Sequence, residues 1–317
     1  MAGPQPHHKD EDAIVKCCRT SQRLLGQPDD CGATFVVRYE DAVVKFGVFY
    51  SREVANQRLA HSILDPKIVR VPEVYHYFRR GKYGFLVMEY INGTPCDTVA
   101  QSEEIERIAL AIQHINSRRG DRNKLGPAGG GITWGVVWVY EQIVIEDMED
   151  MVKYFNDRLQ EVAYEAPVCF DKSPVVFVHC DIVQQNVIWC DDGALALLDS
   201  AHAGWYPRLF ELAALYAARS SQYDFDIGIW DSAGGFPEAL AARLRRDMNV
   251  CEAEQARKVI VAQEAGLAYN IYSKADDILC PTPSPRLSTV EQVDDTDSSG
   301  CELDDPVSRC LPSLSVH

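Results

Sequence analysis

Four polar residues that can hold protons or a metal ion lie close together in the second half of the 317-residue chain: His179, Asp181, Asn186 and Asp199. The apolar, β-branched run 175–178 directly before them is typical of a buried strand. We therefore expect His179 and Asp181 where that strand ends, and an aspartate there can accept the proton of a hydroxyl group. Amide and carboxylate oxygens are ligands that Mg²⁺ prefers, together with water and substrate phosphates. The residue types thus indicate a metal–phosphate site.

A predicted β-hairpin places two of these residues opposite one another. Asp192-Gly193 stands between two apolar runs and favours a two-residue hairpin turn. Counting outward from that turn pairs Asp191 with Ala194 and sets Asn186 directly opposite Asp199. Directly opposed residues have Cβ atoms about 5 Å apart, so both could bind one divalent cation. The alternative is that these residues only form turns and caps, where Asn and Asp are common.

Composition argues against several classes of protein. The formal net charge of −16 argues against a nucleic-acid surface and is compatible with a cationic small-molecule partner. No run approaches the roughly 18 to 20 apolar residues of a membrane span, so we expect no membrane association. The N-terminus shows no secretory signal. The 11 cysteines are scattered without a C-x-x-C pair, which favours reduced thiols in a cytoplasmic protein.

The first ninety residues predict short strands and one helix. The predicted elements are strands at 33–39 and 42–48, a helix at 51–64, and strands at 74–78 and 85–91. Lys45 lies within the second strand, and Glu53 lies in the first turn of the helix. Taken alone, these two residues could equally be an exposed strand lysine and a glutamate favoured by the helix dipole.

Beyond a break at 92–95 the apolar pattern becomes helical. Apolar residues repeat every three or four positions over 105–115 and 148–162, and we predict further helices at 207–219, 237–247 and 251–271. The predicted organisation is a disordered leader at 1–12, an N-lobe at 13–91, a linker at 92–97, a C-lobe at 98–272 and a disordered acidic tail at 273–317.

The ordered series Lys45, Glu53, His179-x-Asp181-x₄-Asn186 and Asp199 resembles the aminoglycoside phosphotransferase and choline kinase family, and in particular phosphotransferase-family proteins of filamentous fungi. The resemblance covers about residues 30 to 270. It implies an α+β, protein-kinase-like two-lobe fold, with a small antiparallel β N-lobe and a larger, mainly helical C-lobe.

The same resemblance implies roles for the catalytic loop. Asp181 would be the catalytic base or would orient the acceptor hydroxyl, and His179 would brace the loop beside it. Asn186 and Asp199 would hold Mg²⁺ against the nucleotide phosphates. Catalysis in this fold is mainly positioning and neutralisation of charge.

Nucleotide-binding roles follow in the N-lobe. Lys45 would contact the α- and β-phosphates of ATP or GTP, and Glu53 would be its ion-pair partner. The backbone around Glu89 and Ile91 would receive the edge of the base. The implied activity is a Mg²⁺-assisted, ATP- or GTP-dependent transfer of phosphate to a small hydroxyl-bearing compound.

Two departures from the family pattern motivate an alternative hypothesis. Cys180 stands where the family usually has glycine, and cysteine scarcely tolerates a positive φ. The loop expected to cover the nucleotide, near 31–33, is poor in glycine. The alternative is therefore a catalytically weak or inactive member that binds nucleotide or serves as a scaffold.

Other chemical motifs have simpler structural interpretations. The adjacent His179 and Cys180 do not suit a nucleophilic pair, because consecutive strand residues point to opposite faces. The glycine-rich run 126–131 lacks the Lys-Ser/Thr of a phosphate loop and predicts an ordinary connecting loop. Glu211 could face a cationic substrate or stabilise a helix start. The aromatic pair 205–206 could line an acceptor pocket or only pack.

Overall fold

The computed structural model describes residues 5–25, 34–48, 51–96, 102–138, 142–164, 166–215, 236–246 and 248–263. They form an antiparallel N-terminal sheet accompanied by two α-helices. A mainly helical region with short strands follows. The predicted tail at 273–317 and the loop at 31–33 lie outside these residues. No helix among the described residues is long and apolar enough to span a membrane.

The N-terminal sheet has five strands in the order β1-β2-β3-β5-β4. They are β1 (Arg23–Leu25), β2 (Phe35–Tyr39), β3 (Ala42–Gly47), β4 (Val74–Arg80) and β5 (Tyr83–Glu89). Tyr39 pairs with Ala42, so the chain turns at Glu40 and Asp41 as predicted. Helix α2 (Ser51–Ile63) follows β3, also as predicted. Apolar residues of β3 are buried on both faces because the strand is central, and it carries Lys45 into the interior.

The prediction of a disordered leader is wrong for residues 6–12. A short 3-10 helix (Pro6–Lys9) precedes helix α1 (Glu11–Thr20), whose N-terminus is capped by Asp10 through a 3.0 Å bond from the amide of Ala13. Ile14 and Cys18, four residues apart, form the buried stripe that packs on the sheet. Two buried residues among polar neighbours are too few to predict a helix from the sequence. The sheet surface that stabilises them is built from strands farther along the chain.

The helical region is built from five helices among the described residues. They are α3 (Ser102–Asn116), α4 (Met148–Glu161), α5 from residue 210 and described to 215, α6 (Phe236–Arg246) and α7 over 250–263. Trp138, almost fully buried, has the rings of Tyr154, Phe155, Tyr206 and Phe210 within 5.7 Å of its own. This aromatic cluster holds α4 and α5 together, so Tyr206 packs in the core and does not line a pocket.

Short strands connect these helices. They are β6 (Gly93–Pro95), β7 (Ile132–Thr133), β8 (Ile143–Val144), β9 (Val175–Val178), β10 (Val187–Cys190), β11 (Leu195–Leu197) and β12 (Gly204–Pro207). The prediction that Pro207 opens a helix is wrong, because this residue ends β12, which pairs with β9. A proline lacks the amide hydrogen of a ladder but is tolerated at such an end.

Backbone hydrogen bonds join the N-terminal sheet to the β10–β11 hairpin. Strand β6, inside the predicted linker, pairs with β10. The amide of Arg70 donates to Leu195 at 2.8 Å, and the amide of Leu197 donates to Arg70 at 2.9 Å. The predicted lobe boundaries stay predictions. The segment that connects the two regions is itself hydrogen-bonded to the hairpin, because β6 pairs with β10.

Replacement of Ile14 by alanine tests whether α1 is a structural element. The side chain is fully buried, so Ile14→Ala should lower the free energy of unfolding by about 2–5 kcal/mol. The exposed Lys16→Ala is the matched control and should change it by less than about 0.5 kcal/mol. Urea unfolding of both variants measures the difference, and equally small effects would contradict a structural role for α1.

Candidate active site

Asp181 and Asn186 meet in the loop that follows β9. The chain leaves β9 at Val178 and forms a short 3-10 helix (Gln184–Asn186) before β10. The side-chain amide of Asn186 donates to the Asp181 carboxylate and to its backbone carbonyl, both at 3.0 Å. The Asn186 nitrogen is thereby turned toward Asp181, and its amide oxygen is left as an acceptor.

The predicted register of the β10–β11 hairpin is wrong by one residue. Val187 pairs with Leu197 and the amide of Leu198 donates to Asn186, so Asn186 lies opposite Leu198 and not Asp199. The loop has three residues because Gly193 adopts a φ of +82° and its amide donates to Cys190 at 2.9 Å. A turn followed by a left-handed glycine is the usual three-residue hairpin, which the Asp-Gly dipeptide does not distinguish from a two-residue one.

Asp199 leaves strand geometry directly after the hairpin and meets Lys45. Its φ is +60°, so the side chain no longer follows the alternation of β11. The ammonium nitrogen of Lys45 lies 3.0 Å from Asp199 Oδ2 and 2.6 Å from Glu53 Oε1. Lys45 and Glu53 are buried, whereas the side chain of Asp199 is 35% exposed. Strand β3, helix α2 and the end of the hairpin therefore meet at one cation.

Burial and charge act in opposite directions on these three groups. Burial alone would lower the pKa of Lys45, but the two carboxylates outweigh it and the pKa is raised. Burial raises the pKa of Glu53 to about 6, although Lys45 opposes the rise. Burial would also raise the pKa of Asp199, yet Lys45 lowers it below its ordinary value. The partly exposed carboxylate of Asp199 is therefore kept ionised by Lys45.

Asp181 has a raised proton affinity. Burial raises its pKa to about 6, and repulsion from Asp199 adds to the rise, while His179 opposes it. His202 Nδ1 lies 3.8 Å from Asp181 Oδ2, and burial lowers the pKa of this imidazole to about 4. A carboxyl group that titrates near neutrality beside a neutral imidazole is suited to proton transfer.

A buried carboxylate positions the start of this loop. Glu211, in the first turn of α5, accepts the amides of His179 at 2.7 Å and Cys180 at 2.9 Å. Burial raises the pKa of Glu211 to about 7, and the two amides oppose that rise. His179 Nε2 donates to the carbonyl of Leu198 at 3.0 Å, which ties the loop to the end of the hairpin. Glu211 is therefore structural here and does not face a substrate.

Cys180 adopts the left-handed backbone conformation that glycine tolerates best, and glycine is the usual family residue at this position. Its φ is +59°, and the side chain is buried. A non-glycine residue costs about 1–2 kcal/mol in this region, and the hydrogen bond to Glu211 helps to hold it there. Burial raises the pKa of the Cys180 thiol, so it is not a thiolate nucleophile.

The strand end at Glu89 is occupied by protein contacts. The amide of Glu89 donates to Glu73 at 2.9 Å, and its carboxylate is bound by Arg70. Arg70 also lies 3.6 Å from Asp192 in the hairpin turn. These contacts hold Glu89 in place within the segment that we predicted to bind the edge of the base. Ile91, in the same segment, is buried beside the hairpin.

Three residues at the site were missed in the sequence: Asn56, Arg70 and His202. Asn56 is fully buried; it donates to the carbonyl of Ser200 at 3.0 Å and accepts the amide of Ala128 at 2.7 Å. A signal for Asn56 existed, because it lies three residues after Glu53 on one face of α2, and that face buries polar groups. Arg70 and His202 have no comparable local signal.

The donor set of the site fits a hard divalent cation. Asn186 offers an amide oxygen, and Asp199 offers an ionised, partly exposed carboxylate one residue beyond the hairpin. Oxygen donors of this kind suit Mg²⁺, which keeps its remaining positions for water and phosphate oxygens.

Comparison with known proteins gives a family and a fold. The family model described as "Phosphotransferase enzyme family" matches residues 33–248. The solved structure of aminoglycoside phosphotransferase APH(4)-Ia is 13% identical, with a TM-score of 0.53 over 87% of this chain and 95% of that one. A thermostable mutant of it, in a ternary complex with AMP-PNP and hygromycin B, is 17% identical, with a TM-score of 0.53 over 86% and 94%. No curated protein matches in sequence. The predicted family and the predicted two-lobe fold class are confirmed.

Substitution of Glu211 tests whether its two hydrogen bonds stabilise the loop that follows β9. Glu211→Gln keeps the shape but turns an NH₂ group toward one of two amide donors, so one buried amide loses its acceptor. We expect a loss of about 1–3 kcal/mol in the free energy of unfolding. Glu254→Gln, on an exposed side chain of α7, is the control and should be close to neutral. Chemical denaturation compares them, and similar small losses would contradict the assigned role.

Proposed function

Because the chain belongs to the phosphotransferase enzyme family, we propose that it transfers the terminal phosphoryl group of ATP or GTP to a hydroxyl group of a small molecule, assisted by Mg²⁺. The observation that carries the proposal is the contact of Lys45 with Asp199 at 3.0 Å, across 154 residues of sequence. It brings a phosphate-binding cation next to a metal-binding carboxylate, and Asp181 and Asn186 lie in the adjoining loop.

The acceptor hydroxyl would be activated by Asp181. Its oxygen attacks the γ-phosphorus, the bond from that phosphorus to the β–γ bridging oxygen breaks, and the hydroxyl proton passes to the Asp181 carboxylate. A carboxylate with a pKa raised to about 6 holds that proton better than an exposed one. Asn186 and Asp199 would hold Mg²⁺, which neutralises charge on the phosphates when bound.

Lys45 would hold the α- and β-phosphates. Glu53 restricts the ammonium group at 2.6 Å, so its position is set before nucleotide arrives. The charge of Lys45 is also retained, because two carboxylates raise its pKa. These features support the predicted role of the Lys45–Glu53 pair in nucleotide binding.

Apolar side chains beside Ile91 would contact the base. Ile91, Cys190 and Ala196 form a small buried cluster, and Ile188 and Leu198 are only partly buried against it. A planar purine can pack on such a surface while the backbone around Glu89 and Ile91 would receive its polar edge, through groups other than the Glu89 amide, which donates to Glu73. The chain's net charge of −16 is compatible with a cationic acceptor.

Loss of the Asp181 carboxylate should abolish most of the phosphotransfer. Nucleotide consumption is measured across a panel of hydroxyl-bearing small molecules, with Asp181→Asn as the blank. With an acceptor identified, we expect kcat to fall by about 10²–10⁴-fold. The control is Asp191→Asn, a neighbouring exposed aspartate in the hairpin turn, which should keep the activity. Turnover of the acceptor by Asp181→Asn at the wild-type rate would refute the assignment.

Nucleotide binding can be tested without knowing the acceptor. Mg-ATP or Mg-GTP should raise the melting temperature of the wild-type chain by mass action. Lys45→Met should lose most of that shift, measured from its own melting temperature without nucleotide. The exposed Lys67→Met should keep it.

These measurements also distinguish the enzyme from the alternative, a catalytically inactive scaffold. Cys180 motivates it, yet this residue adopts its left-handed conformation while Asp181 keeps its contact with Asn186. This geometry favours the enzyme. Absence of any nucleotide-induced shift under all Mg²⁺ conditions would favour the scaffold.

A further inference from the structure

Two histidines and two carboxylates converge where the N-terminal segment meets the β2–β3 turn. His7 Nε2 lies 2.9 Å from Asp41 Oδ1 and 3.1 Å from Glu40 Oε2, and His8 Nε2 lies 2.8 Å from the same Asp41 oxygen. We call these four residues the His7–Asp41 cluster. It shares no residue with the candidate active site, and the proposed reaction does not require it.

Two imidazole nitrogens make all the close contacts to the carboxylates in this arrangement. Each neutral imidazole has one N–H group, so two protons at most lie on the two Nε2 atoms. These atoms make three close contacts to carboxylate oxygens, and His7 Nε2 faces two of those oxygens at once. The carboxylates of Glu40 and Asp41 bring two negative charges to the cluster, which one divalent cation would neutralise.

The cluster is fixed on one side and open on the other. His8 is fully buried, and its ring stacks on Tyr75 with centroids 4.4 Å apart. The side chains of His7, Asp41 and Glu40 are 32%, 52% and 57% exposed. A metal ion could therefore enter from solvent and meet one ligand that is already held in place.

We propose that His7, His8 and Asp41 bind one divalent transition-metal ion of the Zn²⁺ type, with Glu40 or a water molecule in the fourth position. Two imidazole nitrogens and a carboxylate oxygen are ligands that suit Zn²⁺, with bonds of about 2.0–2.2 Å in a tetrahedron. The ligand atoms of His7, His8 and Asp41 all lie within 4.8 Å of one another, and ligand atoms of such a tetrahedron lie about 3.3 Å apart. Imidazole nitrogen makes Mg²⁺ and Ca²⁺ poor alternatives.

Metal binding requires a change at His8. Its Nδ1 accepts the amide of Gln5 at 2.9 Å, so in the metal-free state the ring proton lies on Nε2. Coordination through Nε2 moves that proton to Nδ1, and the bond from Gln5 is given up. This exchange stays within the neutral imidazole and confines the rearrangement to the first residues of the 3-10 helix.

The consequence is a structural link between the N-terminal segment and the sheet. The metal would join positions 7 and 8 to the turn at 40 and 41, directly before α1. Helix α1 also contacts β4 through Glu11 and His76 at 3.1 Å. The metal should therefore hold α1 on the sheet and stabilise the folded chain, without entering the proposed reaction.

Zinc titration of the full chain, freed of metal by chelation, tests the proposal. We expect one Zn²⁺ per chain, a rise of several degrees in melting temperature, and loss of both effects in His7→Gln and in His7→Gln/His8→Gln. His7 is partly exposed, so its single substitution should leave the fold intact. The matched control is His76→Gln, which removes a histidine that contacts α1 outside the cluster, and it should keep the zinc effect.

Cobalt substitution separates this site from cysteine sites. Co²⁺ bound by nitrogen and oxygen should give visible d–d bands without thiolate charge-transfer bands in the near ultraviolet. Thiolate bands that persist in His7→Gln/His8→Gln would place the metal on cysteines and overturn the proposal. Zinc binding that is absent from the wild-type chain, or that His7→Gln leaves unchanged, would also overturn it.

Discussion

The buried ammonium group of Lys45 sets the arrangement of this molecule. A buried cation is stable only beside groups of opposite charge, and here Glu53 and Asp199 lie 2.6 and 3.0 Å away. These residues come from β3, from α2 and from the chain after β11, so one charge requirement positions a sheet, a helix and a hairpin together. Asn56 adds to this link, because it bonds the carbonyl of Ser200 next to Asp199.

A second buried carboxyl group, that of Glu211, supports the loop that follows β9. Glu211 accepts two consecutive amides where β9 ends, and the loop passes through the left-handed conformation of Cys180 at that point. The cost of that conformation is therefore offset by the two hydrogen bonds that Glu211 accepts from the backbone. Asp181 follows directly, so its position depends on α5 as well as on its own strand.

Local signals predicted many elements correctly and failed where geometry depended on one backbone angle or on a distant surface. Strands β2 to β5 and helix α2 follow from their apolar patterns, whereas the short strand β1 was not predicted. The hairpin register was wrong because the φ of Gly193 adds a third loop residue. The leader was predicted to be disordered because Ile14 and Cys18 acquire a partner only when the sheet has formed.

The sequence by itself placed His179, Asp181 and Asn186 within one strand and the loop after it, and it predicted strands β2 to β5 and helix α2 in their order. The reason is that these inferences need only local patterns, namely residue offsets within one segment and the period of the apolar residues. Only the tertiary structure decided the contact of Lys45 with Asp199 and the partners of Glu211 and Asn56, and it alone revealed Arg70 and His202. Their contacts join residues far apart in the chain, and such contacts form only when packing brings separate elements within hydrogen-bonding distance.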